Sequence, residues 1–319
     1  STTPLDIVLV LDASGSMDGS MDDGTKRIDA LKSAANNFVN HIAEQNQGIS
    51  DSSKQHQVSI VKFSGDKSAA VGNDTYYRGG YEYNYSQVMK AMSPCTDAAA
   101  FRNTINSINP AGSTRADYGL QLADSQTSNR EDAKKIVIFF TDGSPTSSSG
   151  FESEVASSAV SAAKAMKDKK ATVYTVGIFS GADPSDNPSG TSNENKFMHA
   201  VSSNYPDAVY EQGWRGDYTW ELGYRADDTQ GDKSYYKAAT NADDLNSVFQ
   251  DIFEQASQGV SSPTETEEGF GGANDGYITF IDTLGDWMTV KGDTMTVVFA
   301  NETFTGERQE DGSFKFSGE

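Results

Sequence analysis

A single cysteine, Cys95, stands in the 319 residues, so no disulfide can form within the chain. That shortage suits a reducing cytoplasm or the surface of a Gram-positive bacterium, whose proteins commonly do without disulfides. Cationic residues are also scarce: Lys+Arg number 25 against Asp+Glu 46, a formal net charge of −21. This balance repels phosphate backbones and anionic bilayers, which argues against nucleic acid or a membrane surface as partner, and it attracts cations. No apolar run of about 18 residues occurs, so no membrane-spanning helix is expected. Phosphate-binding glycine loops are missing too, since GFGGANDG (269–276) has the wrong spacing and follows no strand. There is no GxSxG elbow, and His41, His56 and His199 have no evident nucleophile beside them. No leader precedes the first strand, and the expectation is an excised or mature fragment whose targeting signals lie outside it. The sequons at Asn73, Asn84 and Asn301 carry no meaning in a bacterial product.

The chain does contain a regular alternation of strand-like and helix-like segments, with 36% hydrophobic residues to fill a core. Residues 5–11 form a continuous apolar run, as in a strand buried on both faces of a parallel sheet. Ile28, Leu31, Ala35, Phe38, Val39 and Ile42 follow at helical spacing. Strands are expected at 58–63, around 88–92, and at 134–140, 171–179 and 235–239. Helices are expected over 97–108 behind an aspartate cap, after the loop that opens 112–123, over 155–166, and over 245–253 with Asn241 and Asp244 as capping box. This order predicts an α/β fold with a doubly wound, mostly parallel sheet flanked by helices, in which ligands bind at the carboxyl edge of the strands. It spans residues 1–259, with insertions at about 64–86 and 180–234. From 260 to 319 the pattern becomes a polar linker and short alternating runs (YITFID, WMTV, TMTVVFA, SFKF), read as part of a β-sandwich.

The first strand ends unusually, in LDIVLVLDASGSMDGSM (5–21): an apolar run gives way to Asp12, Ser14 and Ser16 at alternate positions. Two further loops at the same edge offer oxygen atoms, Thr114 in GSTRAD (112–117) and Asp142 in the TDG that ends the strand at 134–140. Five oxygen ligands without histidine or cysteine favour a hard divalent cation. Two carboxylates and three neutral hydroxyls leave such an ion a coordination position open to a carboxylate from a partner. An Asx or Ser turn capping the first helix explains the first three residues but not Thr114 and Asp142.

DASGS, the Gly-Ser-Thr loop and the TDG strand end together resemble the von Willebrand factor A domain with its metal-ion-dependent adhesion site, over roughly residues 4–258. The resemblance implies that Ser14, Ser16 and Thr114 bind the ion, with Asp12 and Asp142 acting directly or through water. It implies magnesium first, with calcium or manganese as alternatives. SSNYPDA (202–208), YYKAA (235–239) and IDTLGDWMTVKGD (281–293) are similar to Gram-positive pilus-tip and surface adhesins, where a Cna-like β domain follows the A domain. That likeness implies a non-enzymatic module at a bacterial cell surface, cell wall or pilus tip. Its partner would be a protein or glycan on a host cell or matrix that supplies a carboxylate to the metal. The alternatives are an intracellular A-domain protein that docks a motor or assembly partner through the same metal, and a metallohydrolase, which lacks a recognisable general base.

The remaining chemistry-bearing residues have plainer readings. Asp18, Asp22 and Asp23 lack EF-hand spacing and are expected in a solvated acidic loop. Cys95 is expected to be buried and inert rather than reactive. Lys291 and Asn301 are read as surface residues rather than isopeptide partners. The two insertions, with YYRGGYEYNY (76–85) in one and Trp214 and Trp220 in the other, exceed ordinary α/β loop lengths. They are expected to rise beside the ion as walls of the ligand-binding surface, because Tyr and Trp give large contact area at little conformational cost.

Overall fold

A computed structural model of the chain describes residues 3–185, 187–226, 229–257, 292–299, 302–310 and 314–316. The chain divides into two compact units, Ser1–Ser262 and Pro263–Glu319. In the first, β1 (Leu5–Asp12) leads into α1 (Arg27–Gln47) and then β2 (Gln57–Phe63). A hairpin of β3 (Thr75–Arg78) and β4 (Tyr81–Asn84) precedes β5 (Gln87–Pro94), α2 (Ala98–Asn106) and α3 (Ala116–Gln126). Next come β6 (Lys134–Thr141), α4 (Ser153–Asp168), β7 (Thr172–Gly177) and α5 (Asn193–Val201). A second hairpin of β8 (Val209–Gln212) and β9 (Tyr218–Glu221) is followed by β10 (Tyr236–Ala238) and α6 (Ala242–Ser257).

Six strands form the central sheet in the order β10-β7-β6-β1-β2-β5. β1 lies at its middle, parallel to β2 with Leu9 opposite Ile60 and parallel to β6 with Leu9 opposite Ile138. Every residue of β1 is buried, which is why its sequence reads as one apolar run. Its side chains alternate between two cores. Leu5, Ile7, Leu9 and Leu11 meet Leu31, Phe38 and Ile42 of α1 and Leu245, Phe249 and Ile252 of α6. Val8 and Val10 face the other way, with Leu120 of α3, Val160 of α4 and Phe197 of α5. On that second face Gly119 lets α3 approach the sheet, since a Cβ there would lie 2.8 Å from Phe63. The chain leaves β1 toward β2 on one side and later fills β6 on the other, so the carboxyl end of β1 is a switch point where a cleft forms.

The architecture is the mostly parallel, helix-flanked sheet read from the sequence, with two refinements. β5 runs antiparallel to β2 with irregular register, and closes that edge of the sheet. The two insertions are not structureless: the first holds the β3–β4 hairpin and the second holds α5 and the β8–β9 hairpin. The signal for α5 was available in Ser192, whose side chain accepts from Asn195 N at its start, and in the apolar residues Phe197, Met198, Ala200 and Val201. Half of the expected capping box of α6 forms, with Asp244 N donating to Asn241 Oδ1 at 2.8 Å, while Asp244 Oδ2 accepts from the Asn241 side-chain Nδ2 at 3.0 Å rather than from its backbone N–H. Among the described residues no helix is long and apolar enough to cross a membrane.

In the second unit β11 (Thr294–Phe299), β12 (Glu302–Arg308) and β13 (Phe314–Phe316) form an antiparallel sheet in that order. The runs YITFID and WMTV, and Lys291 and Asn301, lie outside the described residues.

Candidate metal centre

Parallel strands end their backbone hydrogen bonding at the carboxyl edge, so the residues just beyond must find partners elsewhere. At the end of β1, Ala13 N donates to Phe63 O at 2.9 Å and Ala13 O accepts from Ala111 N at 2.9 Å, which draws three loops together. Gly15 N then donates to Gly112 O at 3.0 Å, seating the 12–16 turn against the loop that carries Thr114. That second loop is fastened from behind by a two-way backbone pair, Thr114 N to Thr146 O at 3.0 Å and Thr146 N to Thr114 O at 2.9 Å.

Four of the five expected ligands share one hydrogen-bonded chain. Asp12 Oδ1 accepts from Ser14 N at 2.8 Å, Ser14 Oγ and Ser16 Oγ are 2.9 Å apart, and Ser16 Oγ donates to Asp142 Oδ1 at 2.9 Å. Ser16 has committed its proton to Asp142, so Ser14 donates to Ser16. The fifth, Thr114, arrives through its backbone, and among the described residues its hydroxyl is bonded to none of the other four. The site is closed below and open above: Asp12, Ser14, Thr114 and Asp142 are buried whereas Gly15 and Ser16 are exposed.

The electrostatics are unbalanced. Burial, and then the charge of Asp142, push the Asp12 carboxyl up to about 8, although hydrogen bonds from Ser14 and Thr141 pull the other way. Thr141 Oγ1, at the end of β6, donates to Asp12 Oδ2 at 2.8 Å and is a contributor that the sequence did not single out. Among the described residues no cationic side chain pairs with Asp12. Asp142 does have one: Arg27 Nη1, from the first turn of α1, donates to Asp142 Oδ2 at 3.0 Å and to Ser16 O at 3.1 Å. A buried carboxylate without a counter-charge, beside hydroxyls and a second carboxylate, fits a hard divalent cation. Among the described residues no three His, Cys, Asp or Glu side chains gather as a metal cluster, so the candidate set depends on its hydroxyls.

Both insertions reach this edge. Gly112 adopts φ +101°, and a Cβ there would meet Ser64 Oγ at 2.4 Å and Tyr83 Cδ1 at 2.8 Å, so the first hairpin lies directly on the Thr114 loop. Below it, the buried Lys62 ammonium donates to Asn73 Oδ1 at 2.5 Å, Asp74 O at 2.9 Å and Asn84 Oδ1 at 3.0 Å. Asn84 Nδ2 in turn donates to Ala13 O at 3.0 Å and Asn109 O at 2.6 Å. The second excursion touches the Asp142 loop through Ser144 Oγ, which donates to Glu194 Oε1 at 2.7 Å. Trp220 stacks on Tyr210 with centroids 3.9 Å apart and donates to Asn193 Oδ1, so it holds its hairpin in place. Trp214, 90% exposed with the Arg215 guanidinium 4.8 Å from its ring centroid, and Tyr77 and Tyr81 of the first hairpin are open to solvent.

Other candidates fall away as sites. Asp23 Oδ2 accepts from Ala242 N at 3.0 Å, tying the acidic loop to the start of α6, and Asp18 pairs with Lys26 at 2.7 Å. Cys95 is fully buried and burial pushes its thiol up to about 12. Asn84 is 1% exposed, which closes that sequon to any glycan.

Residues 6–211 match the von Willebrand factor type A domain family. No curated protein matches the chain. Among solved structures, the pilus adhesin SpaC from Lactobacillus rhamnosus GG is similar with a TM-score of 0.51 at 19% identity, over 81% of this chain and 31% of that one. The vWF domain of the type V pili tip protein Mfa5 from Porphyromonas gingivalis has a TM-score of 0.54 at 13% identity, over 82% and 98%. The PilB minor pilin from Streptococcus sanguinis has 0.52 at 16%, over 82% and 64%. The chain thus spans less than a third of SpaC and under two thirds of PilB, and these likenesses concern the fold.

Proposed function

The chain belongs to the von Willebrand factor type A domain family, and on that premise we propose that it is a metal-dependent adhesion module of a bacterial cell surface or pilus tip. Ser14, Ser16 and Thr114 would hold a divalent cation with their hydroxyls, and Asp12 and Asp142 would supply the negative charge. Magnesium is the first choice, with calcium or manganese as alternatives. When bound, the ion supplies a Lewis-acidic position that a partner's carboxylate can fill. One observation carries the reading: Asp12 is a buried carboxylate with no cationic partner among the described residues, in a hydrogen-bonded chain that opens to solvent at Ser16.

The rest of the site suits capture rather than turnover. The buried histidines are engaged away from this edge, His56 Nδ1 with Leu5 N and His199 Nδ1 with Asn204. The first hairpin lies on the Thr114 loop, α5 of the second excursion touches the Asp142 loop, and both hairpins offer exposed aromatic rings, the low-entropy contacts that binding surfaces use. We assign them the walls of a surface for a protein or glycan on a host cell or matrix.

The test is attachment of the purified protein to immobilised matrix proteins and host cells in magnesium, in EDTA, and with Asp12→Ala. Attachment lost in EDTA and in the variant supports the reading. Attachment that survives both removes the metal from adhesion.

A further inference from the structure

Arg27 carries no local sequence signal that connects it with the site, yet it sits on it. Its backbone N donates to Gly19 O at 2.8 Å, and its guanidinium lies over Gly19, where a Cβ would come within 3.2 Å of Nη1. From there Nη1 reaches both Asp142 Oδ2 and Ser16 O. Its Nε is buried and has no hydrogen-bond partner. The Asp142 side chain is 0% exposed and the Arg27 side chain 26% exposed, so the pair is largely shielded from water. The guanidinium leaves its Nε without a partner while Nη1 reaches Asp142, so the carboxylate is what holds its orientation.

We propose that Arg27 is a positioning residue that serves as a tethered counter-ion: it neutralises Asp142 in the metal-free protein and lowers the affinity of the site for a divalent cation. The inference rests on the metal-binding reading above and adds its regulation. Asp142 has two oxygens. Ser16 holds Oδ1 and Arg27 holds Oδ2, so an incoming ion finds this carboxylate already half paid in positive charge. With Asp12 deprotonated, two carboxylates less one guanidinium leave a single net negative charge to attract a doubly positive ion. A fixed positive charge in hydrogen-bonding contact with a ligand carboxylate, partly screened by solvent, changes such an equilibrium by about tenfold. Loading then depends on the ambient ion concentration, and the metal-free fold stays intact between loadings because Asp142 keeps a partner.

The two roles of Arg27 oppose one another, and this separates the proposal from a purely structural one. Removing the charge should tighten metal binding while weakening the metal-free fold, whereas a residue that only braces the turn would weaken both. Arg27→Gln and Arg27→Lys are compared with the wild type by calorimetric titration with manganese and magnesium, and by thermal melting in EDTA. Arg27→Gln should bind manganese about tenfold more tightly and melt at a lower temperature in EDTA. Arg27→Lys, which retains the charge, should keep an affinity near that of the wild type. Unchanged or weaker manganese binding by Arg27→Gln, with wild-type binding intact, overturns this inference alone. Absence of ion binding in the wild type overturns the metal reading and this inference with it.

Discussion

Replacing Asn84 with alanine isolates the link between the first hairpin and the metal loops. Asn84 is 1% exposed and uses its whole amide: Oδ1 accepts from the Lys62 ammonium at 3.0 Å, while Nδ2 donates to Ala13 O at 3.0 Å and Asn109 O at 2.6 Å. Two buried neutral hydrogen bonds are worth about 1 kcal/mol each, and one to a charged group about 2 kcal/mol. Asn84→Ala should therefore cost about 4 kcal/mol, and in a unit of this size each kcal/mol lowers Tm by about 2–4 °C. Lys62 keeps Asn73 and Asp74 as acceptors, so the loss should fall short of that of an isolated buried charge. In urea the midpoint should fall with the slope unchanged. Ala13 lies between Asp12 and Ser14, so manganese affinity should fall as well. Asn84→Asp makes a sharper control: it keeps an acceptor for Lys62 but sets carboxylate oxygens against the carbonyls of Ala13 and Asn109, and it too should destabilise. A loss below about 1 kcal/mol in Asn84→Ala would refute the assignment of this amide as the joint.

Three other outcomes are expected. Gly112→Ala puts an L residue at φ +101° and a methyl group against Ser64 and Tyr83, so it should cost about 1–2 kcal/mol in backbone strain alone and weaken ion binding by displacing the Thr114 loop; unchanged manganese affinity would count against that loop as part of the site. Burial, followed by the charges of Arg130 and Arg225 respectively, holds His56 and His199 down at about 4, below the usual 6.5. The unfolded chain therefore takes up these protons first, so their contribution is complete above pH 6.5, is lost as pH falls from 6.5 toward 4, and amounts to at most about 3 kcal/mol each. The urea midpoint of His56→Gln should fall less steeply over that window, and an identical pH slope would contradict this. Tyr77→Ala with Tyr81→Ala removes rings that are 71% and 74% exposed, so stability should change by less than about 0.5 kcal/mol while attachment to matrix or cells drops; retained attachment would take the first hairpin out of the binding surface.

The sheet and the grouping of the candidate oxygen ligands were legible in the sequence for a local reason. A strand buried on both faces is a continuous apolar run, and DASGS and TDG sit immediately beyond two such runs, so strand ends and candidate ligands are read together. What escaped were partnerships between distant residues. Arg27 and Asp142 are 115 positions apart, and Lys62 meets Asn84 only because the hairpin folds back over the end of β2. Nothing in the local pattern distinguishes Arg27 from any cation opening a surface helix. The 180–234 excursion conceals its helix because α5 spans only nine residues, too few for a helical period to stand out. Trp220 in fact braces its own hairpin, while Trp214 remains exposed.

Whether Asp12, Ser14, Ser16, Thr114 and Asp142 bind a divalent ion is read from the ion content of the folded protein. Wild type and Asp12→Ala are dialysed against manganese, and the bound metal is quantified per chain, with circular dichroism confirming that both are folded. The wild type should hold one tightly bound ion and the variant none. A folded Asp12→Ala protein that retains a stoichiometric ion would contradict the assignment.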